Sequence, residues 1–152
     1  LRIVCVISDS VYRREKVSEI LTKIGYEKIK IVTTGKAKNG RMVVSKEKFS
    51  ELVKKRMVLE LSNKNDVQTG IVKPMGSASN VMIAKPEWYI RLKQEYGTQV
   101  IGVYINIIDR GVKDSISKDK YDCLENNVDI EIKNIISSEG IVAEVLKYIK
   151  AN

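Results

Sequence analysis

Short β-branched runs alternate with stretches of helical spacing, and that alternation leaves few folds open to this chain. Residues 2–8 (RIVCVIS) are apolar at consecutive positions rather than at every second one. A strand of that kind is buried on both faces, as in a parallel sheet. Val17, Ile20, Leu21 and Ile24 then recur at helical spacing, and Gly25 supplies a stop. Residues 28–34 (KIKIVTT) read as a second strand, so the chain opens as a βαβ unit.

The middle of the chain differs from its flanks. Residues 36–41 (KAKNGR) form a basic turn in which Asn39-Gly40 is a hairpin signal. A short strand follows at 41–44, and Ser45 is placed to cap a helix with Phe49, Leu52 and Val53 on one face. Two more strands, MVLELS at 57–62 and 67–72, flank an NKND turn. Alternation then resumes. NVMIA at 80–84 is a buried strand, Pro86 opens a helix ended by Gly97, and 99–105 is the next strand. Residues 109–127 are polar and aperiodic, and read as loop with a short helix. VDIEIK at 128–133 alternates as an edge strand does, and 138–151 carries Val142, Val145, Leu146 and Ile149 on one stripe of a last helix. The expected class is α/β: a parallel sheet flanked by helices, with a small strand-rich insert at about 35–77 and a core of 1–34 and 78–152. In such sheets ligands bind beyond the carboxyl ends of the strands.

Composition narrows the chemistry. There is no histidine, which excludes a Ser-His-Asp triad, a Cys-His dyad and imidazole-ligated zinc. Cys5 and Cys123 are far apart, and Cys5 sits in an apolar run, which reads as a core residue in a reducing compartment. No signal-peptide pattern opens the sequence and no apolar run spans a bilayer, so a cytoplasmic location is expected. The formal net charge is +8, from 27 Lys and Arg against 19 Asp and Glu. That excess favours anionic partners, although much of it lies on apparent helix faces, at Lys46, Lys48, Lys54, Lys55 and Arg56.

With these elements in order, the residues resemble a guanylate kinase, a P-loop-kinase-like fold. Val6-Ile7-Ser8 resembles the strand entering that family's phosphate loop, and Thr33-Thr34 its Thr-Thr-Arg motif. VVSKEKF at 43–49 resembles F-V-S-x-E-x-F, and VLEL at 58–61 resembles F-I-E-W. Gly70 falls where the family has Tyr-Gly, and 80–93 resembles the segment opening D-V-L-L-D-I-D. The resemblance covers nearly the whole chain and makes the strand-rich insert similar to the family's GMP-binding region.

The resemblance also implies where function has departed. The family needs G-x-x-x-x-G-K-[ST] after its first strand, because glycines let backbone N–H groups close on phosphates. Here residues 9–17 (DSVYRREKV) contain no glycine. Ser10, Arg13, Arg14 and Lys16 are the anion contacts that this degenerate stretch retains, or else a solvated basic helix start. Gly35 stands where the first clamp arginine is expected, leaving Lys36, Lys38 and Arg41 to supply positive charge without the same bidentate geometry. Glu60 matches the carboxylate that accepts from a guanine edge, and in an alternating strand it also reads as solvent-facing. Thr34 is a second base contact, Thr69 replaces a tyrosine, and Lys85 inverts the charge of an acidic element. Arg110 resembles the start of the arginine-bearing lid, with Lys113, Lys118 and Lys120 beyond it.

Three functions stay open on these residues. The first choice is a catalytically impaired, pseudokinase-like binding module for an anionic ligand: a nucleoside monophosphate or an acidic or phosphorylated protein. The alternative is a divergent ATP-dependent nucleoside monophosphate kinase, and only that reading implies Mg-ATP; otherwise no cofactor, metal or catalytic residue is assigned. The third is nucleic-acid binding by the basic surface, with Trp88 and the tyrosines stacking on bases.

Overall fold

The computed structural model describes residues 2–38, 40–107, 124 and 127–152. Strand β1 (Arg2–Ser8) lies at the centre of a five-stranded sheet, between β7 (Ser79–Ile83) and β8 (Val100–Ile105) and parallel to both. Its period-2 geometry divides the apolar run. Ile3, Cys5 and Ile7 enter one core cluster, with Trp88, Tyr89 and Leu92 of helix α3 (Pro86–Tyr96). Val4 and Val6 enter another, with Val17 and Leu21 of α1 (Val11–Lys23) and Ile141, Val142 and Val145 of α4 (Ser138–Ala151). Two-sided burial is why the run reads as continuous rather than alternating.

The sheet is completed by β2 (Glu27–Lys28) beside β7 and by β9 (Ile130–Ile132) beside β8, in the order β2-β7-β1-β8-β9. Every pairing in it is parallel, and β9 is at its edge, as its alternation predicts. A second, four-stranded sheet runs β4-β3-β6-β5, from β3 (Ile31–Thr33), β4 (Arg41–Val43), β5 (Val58–Lys64) and β6 (Val67–Val72). Helix α2 (Lys46–Lys54) packs Phe49 against Val32 and Val58 on one face of this sheet. The Ser45 side chain caps it, accepting from Lys48 N at 3.1 Å.

Two details differ from the sequence reading. KIKIVTT is not one strand: Glu27–Lys28 pair with β7, whereas Ile31–Thr33 pair with β4 and β6. Between them Ile29 N donates to Val81 O and Lys30 O accepts from Val72 N, so the chain passes from one ladder to the other without losing backbone bonds. A continuous β-propensity run cannot reveal a change of sheet. Nor do β3 and β4 form a hairpin around Asn39-Gly40, because they are parallel. The tight turn of the small sheet is instead Asn65-Asp66, at φ 52° and 64°, between antiparallel β5 and β6.

Against the α3 face, one carboxylate gathers three donors. Asp129 Oδ2 accepts from Gly102 N at 2.7 Å, Tyr89 OH at 3.2 Å and Lys93 Nζ at 3.2 Å. Gly102 is required there, because a Cβ at this position would stand 2.3 Å from Tyr89 Cε2. Cys5 is fully buried nearby, and burial first of all pushes its thiol up to about 12. The unfolded thiol ionises near 9, so the folded state holds its proton more tightly. This contribution is therefore complete below pH 9 and is lost as pH rises toward 12. Over that window we expect stability to fall by about 1.4 kcal/mol per pH unit from this group alone. Urea unfolding of wild type and Cys5→Ala at stepped alkaline pH should show a difference that narrows with pH; parallel curves would refute it.

Candidate functional site

The carboxyl end of β1 meets α1 through Asp9 and Ser10 alone. Local hydrogen bonds close this junction. Ser8 Oγ accepts from Ser10 N at 3.1 Å, and Ser10 Oγ caps the helix by accepting from Arg13 N at 3.3 Å. The two arginines fold back onto backbone oxygens: Arg14 Nη1 donates to Ser8 O at 3.1 Å and Arg13 Nη1 to Ile136 O at 2.8 Å. Lys16 lies along α1 beside Glu19, 3.7 Å away, a carboxylate that Lys23 also approaches at 3.3 Å. A triphosphate needs a loop long enough to surround it with N–H groups. A two-residue link without glycine does not fit one. Among the described residues, no cluster of three or more His, Cys, Asp or Glu is positioned to hold a metal ion.

The small sheet brings Thr34 and Glu60 together through a residue that sequence reading overlooks. Gln68 and Thr34 exchange bonds, Thr34 N donating to Gln68 O and Gln68 N to Thr34 Oγ1, each at 3.0 Å. Gln68 Nε2 then donates to Glu60 Oε2 at 3.2 Å. Glu60 stands opposite Gly70, on the same side of β5 as Val58, next to a break in register between Glu60 and Ser62. Gln68, two residues before Gly70 on β6, shares that side. The Asn65-Asp66 turn could have signalled this, since it sets the register that puts Gln68 beside Glu60. Thr69, one residue on, points the other way; it is buried opposite Thr33 and Ser62.

The basic loop is also divided. Lys36 and Lys38 are exposed. Gly35 is closely packed, since a Cβ there would lie 2.8 Å from Val67 Cγ1. Arg41, by contrast, leaves the loop and sets its guanidinium 5.5 Å from the centroid of the Trp88 ring. The Lys85 ammonium lies 5.2 Å from the same centroid. Trp88 is 3% exposed, and its indole N–H donates to Ser62 Oγ at 3.3 Å. Neighbouring Glu87 bonds Lys64 at 3.0 Å. Burial pushes its carboxyl up, but its own backbone N–H, Lys64 and Lys85 outweigh that and hold it below the usual carboxylate range. Lys85 and Trp88 thus join Arg41, while Lys36 and Lys38 stand apart. Arg110, with Lys113, Lys118 and Lys120, lies outside the described residues.

This arrangement of two sheets was compared with known proteins. No family model and no curated protein matches the sequence. Among solved structures, the crystal structure of guanylate kinase from Anaplasma phagocytophilum matches with a TM-score of 0.68. The match covers 99% of this chain and 85% of that chain, at 14% sequence identity. The fold is that of a guanylate kinase. At so low an identity the likeness carries the architecture and leaves activity to be argued from side chains. Within this guanylate-kinase fold, Trp88 is part of the core rather than an exposed stacking platform. No helix among the described residues is long and apolar enough to cross a membrane.

Proposed function

We propose that this chain is a guanylate-kinase-fold binding module, impaired in phosphoryl transfer, that takes an anionic ligand: a nucleoside monophosphate or an acidic or phosphorylated protein. The observation that carries this reading is the closed β1–α1 junction, with Arg13 and Arg14 bonded to backbone oxygens. Phosphoryl transfer depends on positioning and charge stabilisation around the donor phosphates. A degenerate phosphate loop removes both at once. The acceptor side supports ligand binding better, since Thr34, Gln68 and Glu60 are linked by hydrogen bonds and Arg41 and Lys85 lie on one ring. The net charge of +8 suits an anion and steers it toward the protein. The cytoplasm suits a chain whose described cysteine is a free thiol.

Calorimetric titration at low salt, with ATP-Mg²⁺ and separately with GMP, tests this. The expected result is no saturable heat with ATP-Mg²⁺ and no turnover in a coupled assay. Saturable ATP-Mg²⁺ binding with phosphoryl transfer to GMP would overturn the proposal in favour of a divergent kinase.

A further inference from the structure

The two sheets end in four outer strands, β2, β9, β4 and β5. An outer strand is a template for another chain unless something blunts it. Strand β2 is only Glu27 and Lys28, both charged. On β5 the apolar side chains of Val58, Leu59 and Leu61 are buried. On β9, Ile132 is buried and Glu131 is engaged by Asn106 and Lys133. Strand β4 differs. Met42 and Val43 are successive, so they point to opposite faces, and they are 46% and 48% exposed. Among the described residues β4 pairs with β3 and with no other strand. Val44 N donates to Thr33 O at 2.9 Å, so residue 44 faces β3 and the backbone of Val43 faces outward. The chain on either side of this strand is basic, with Lys36, Lys38, Lys46 and Lys48 against Glu47. Asp66 and Glu51 pair with Lys46 and Lys48, which leaves exposed Lys36 and Lys38 as the cations beside the edge.

We propose that the outer edge of β4 takes an acidic, extended segment of a partner protein as an added strand of the small sheet. This rests on the binding-module reading above and specifies how its protein ligand is held. Main-chain bonds at Val43 supply the pairing, and side chains of the added strand cover Met42 on one face and Val43 on the other. Lys36 and Lys38 select the charge of the segment. They also argue against a second copy of this chain, because two such edges side by side would bring like charges together. The contact lies in the plane of the sheet, along β4, and needs neither the β1–α1 junction nor Glu60.

The test follows the anisotropy of a dye-labelled peptide of alternating Glu and Val, titrated with the full chain at low salt. Saturable binding is expected, together with slower amide exchange at Val43. The same peptide with every amide nitrogen methylated keeps its charge but has no N–H to donate, and it should not bind. Val43→Pro removes the outward N–H without touching the ladder to β3, and should weaken binding about tenfold. Lys36→Glu with Lys38→Glu should weaken it by about as much, and a peptide of alternating Lys and Val should fail on wild type. Thermal melts establish that the variants are folded; if Val43→Pro is not, the methylated peptide on wild type decides. Equal binding of the methylated peptide, or exchange at Val43 unchanged by the ligand, would overturn the proposal. Sedimentation of the chain alone as a dimer that Val43→Pro disperses would assign the edge to a second copy and overturn it too. Heat with GMP but no peptide binding would overturn the edge site and leave the binding-module reading. Phosphoryl transfer to GMP in a chain that binds the peptide would overturn that reading and leave the edge site standing.

Discussion

Phe49→Ala is expected to lower the unfolding free energy by about 3–5 kcal/mol, the usual range for removing a buried aromatic ring. Phe49 is the only phenylalanine and is 0% exposed. With Val32 and Val58 it makes up the buried core on the α2 side of the small sheet. Few neighbours can shift to fill the space it would leave, so the cavity persists and the cost lies toward the upper end. The effect should be local first. Amide exchange in β3, β5 and β6 should quicken while β1 and β8, buried on both faces, keep their protection. Because β5 and β6 carry Glu60 and Gln68, the variant should also lose affinity for any ligand of that pair. Urea unfolding and hydrogen exchange on one sample check both parts. A loss under about 1 kcal/mol would mean that the small sheet does not depend on this ring.

Asp129→Ala should cost about 2–3 kcal/mol, from charge-assisted hydrogen bonds whose donors are left behind. Removing this carboxylate takes the acceptor from Gly102 N and removes a partner from Tyr89 OH and Lys93 Nζ. Each of the other two keeps one bond, Tyr89 to Asn127 O and Lys93 to Val100 O. Lys93 and Asp129 side chains are 35% and 21% exposed, so water screens the ion pair and places the cost below that of a fully buried one. Asp129→Asn keeps an oxygen for Gly102 N–H and should recover about half of the loss. Denaturant unfolding of the three proteins decides it. Equal stability of the Ala and Asn variants would show that the backbone bond to Gly102 carries nothing.

The elements were legible because their signals are local. Two-sided burial of β1 produces a continuous apolar run. Ser45 and Pro86 mark helix starts by the physics of orphan N–H groups, and the strict alternation of VDIEIK marks a strand with one face covered. The contents of the site were less legible. Thr34 and Glu60 were picked out by resemblance, yet Gln68, which joins them, carries no signal until the β5–β6 register is known. Arg41 was grouped with Lys36 and Lys38 because they are neighbours in sequence. Its side chain instead reaches Trp88 in the helix that follows β7, a contact between segments far apart in the chain that no spacing rule encodes.

The sequence by itself determined the α/β class and the lack of glycine after β1, since each depends on residue type and near-neighbour geometry. Only the tertiary structure decided that KIKIVTT serves two sheets, that Arg13 and Arg14 turn back onto backbone oxygens, and that Arg41 and Lys85 share the Trp88 ring. Those outcomes depend on which distant segments become neighbours when the apolar faces close, and a side chain takes the best partner it then finds.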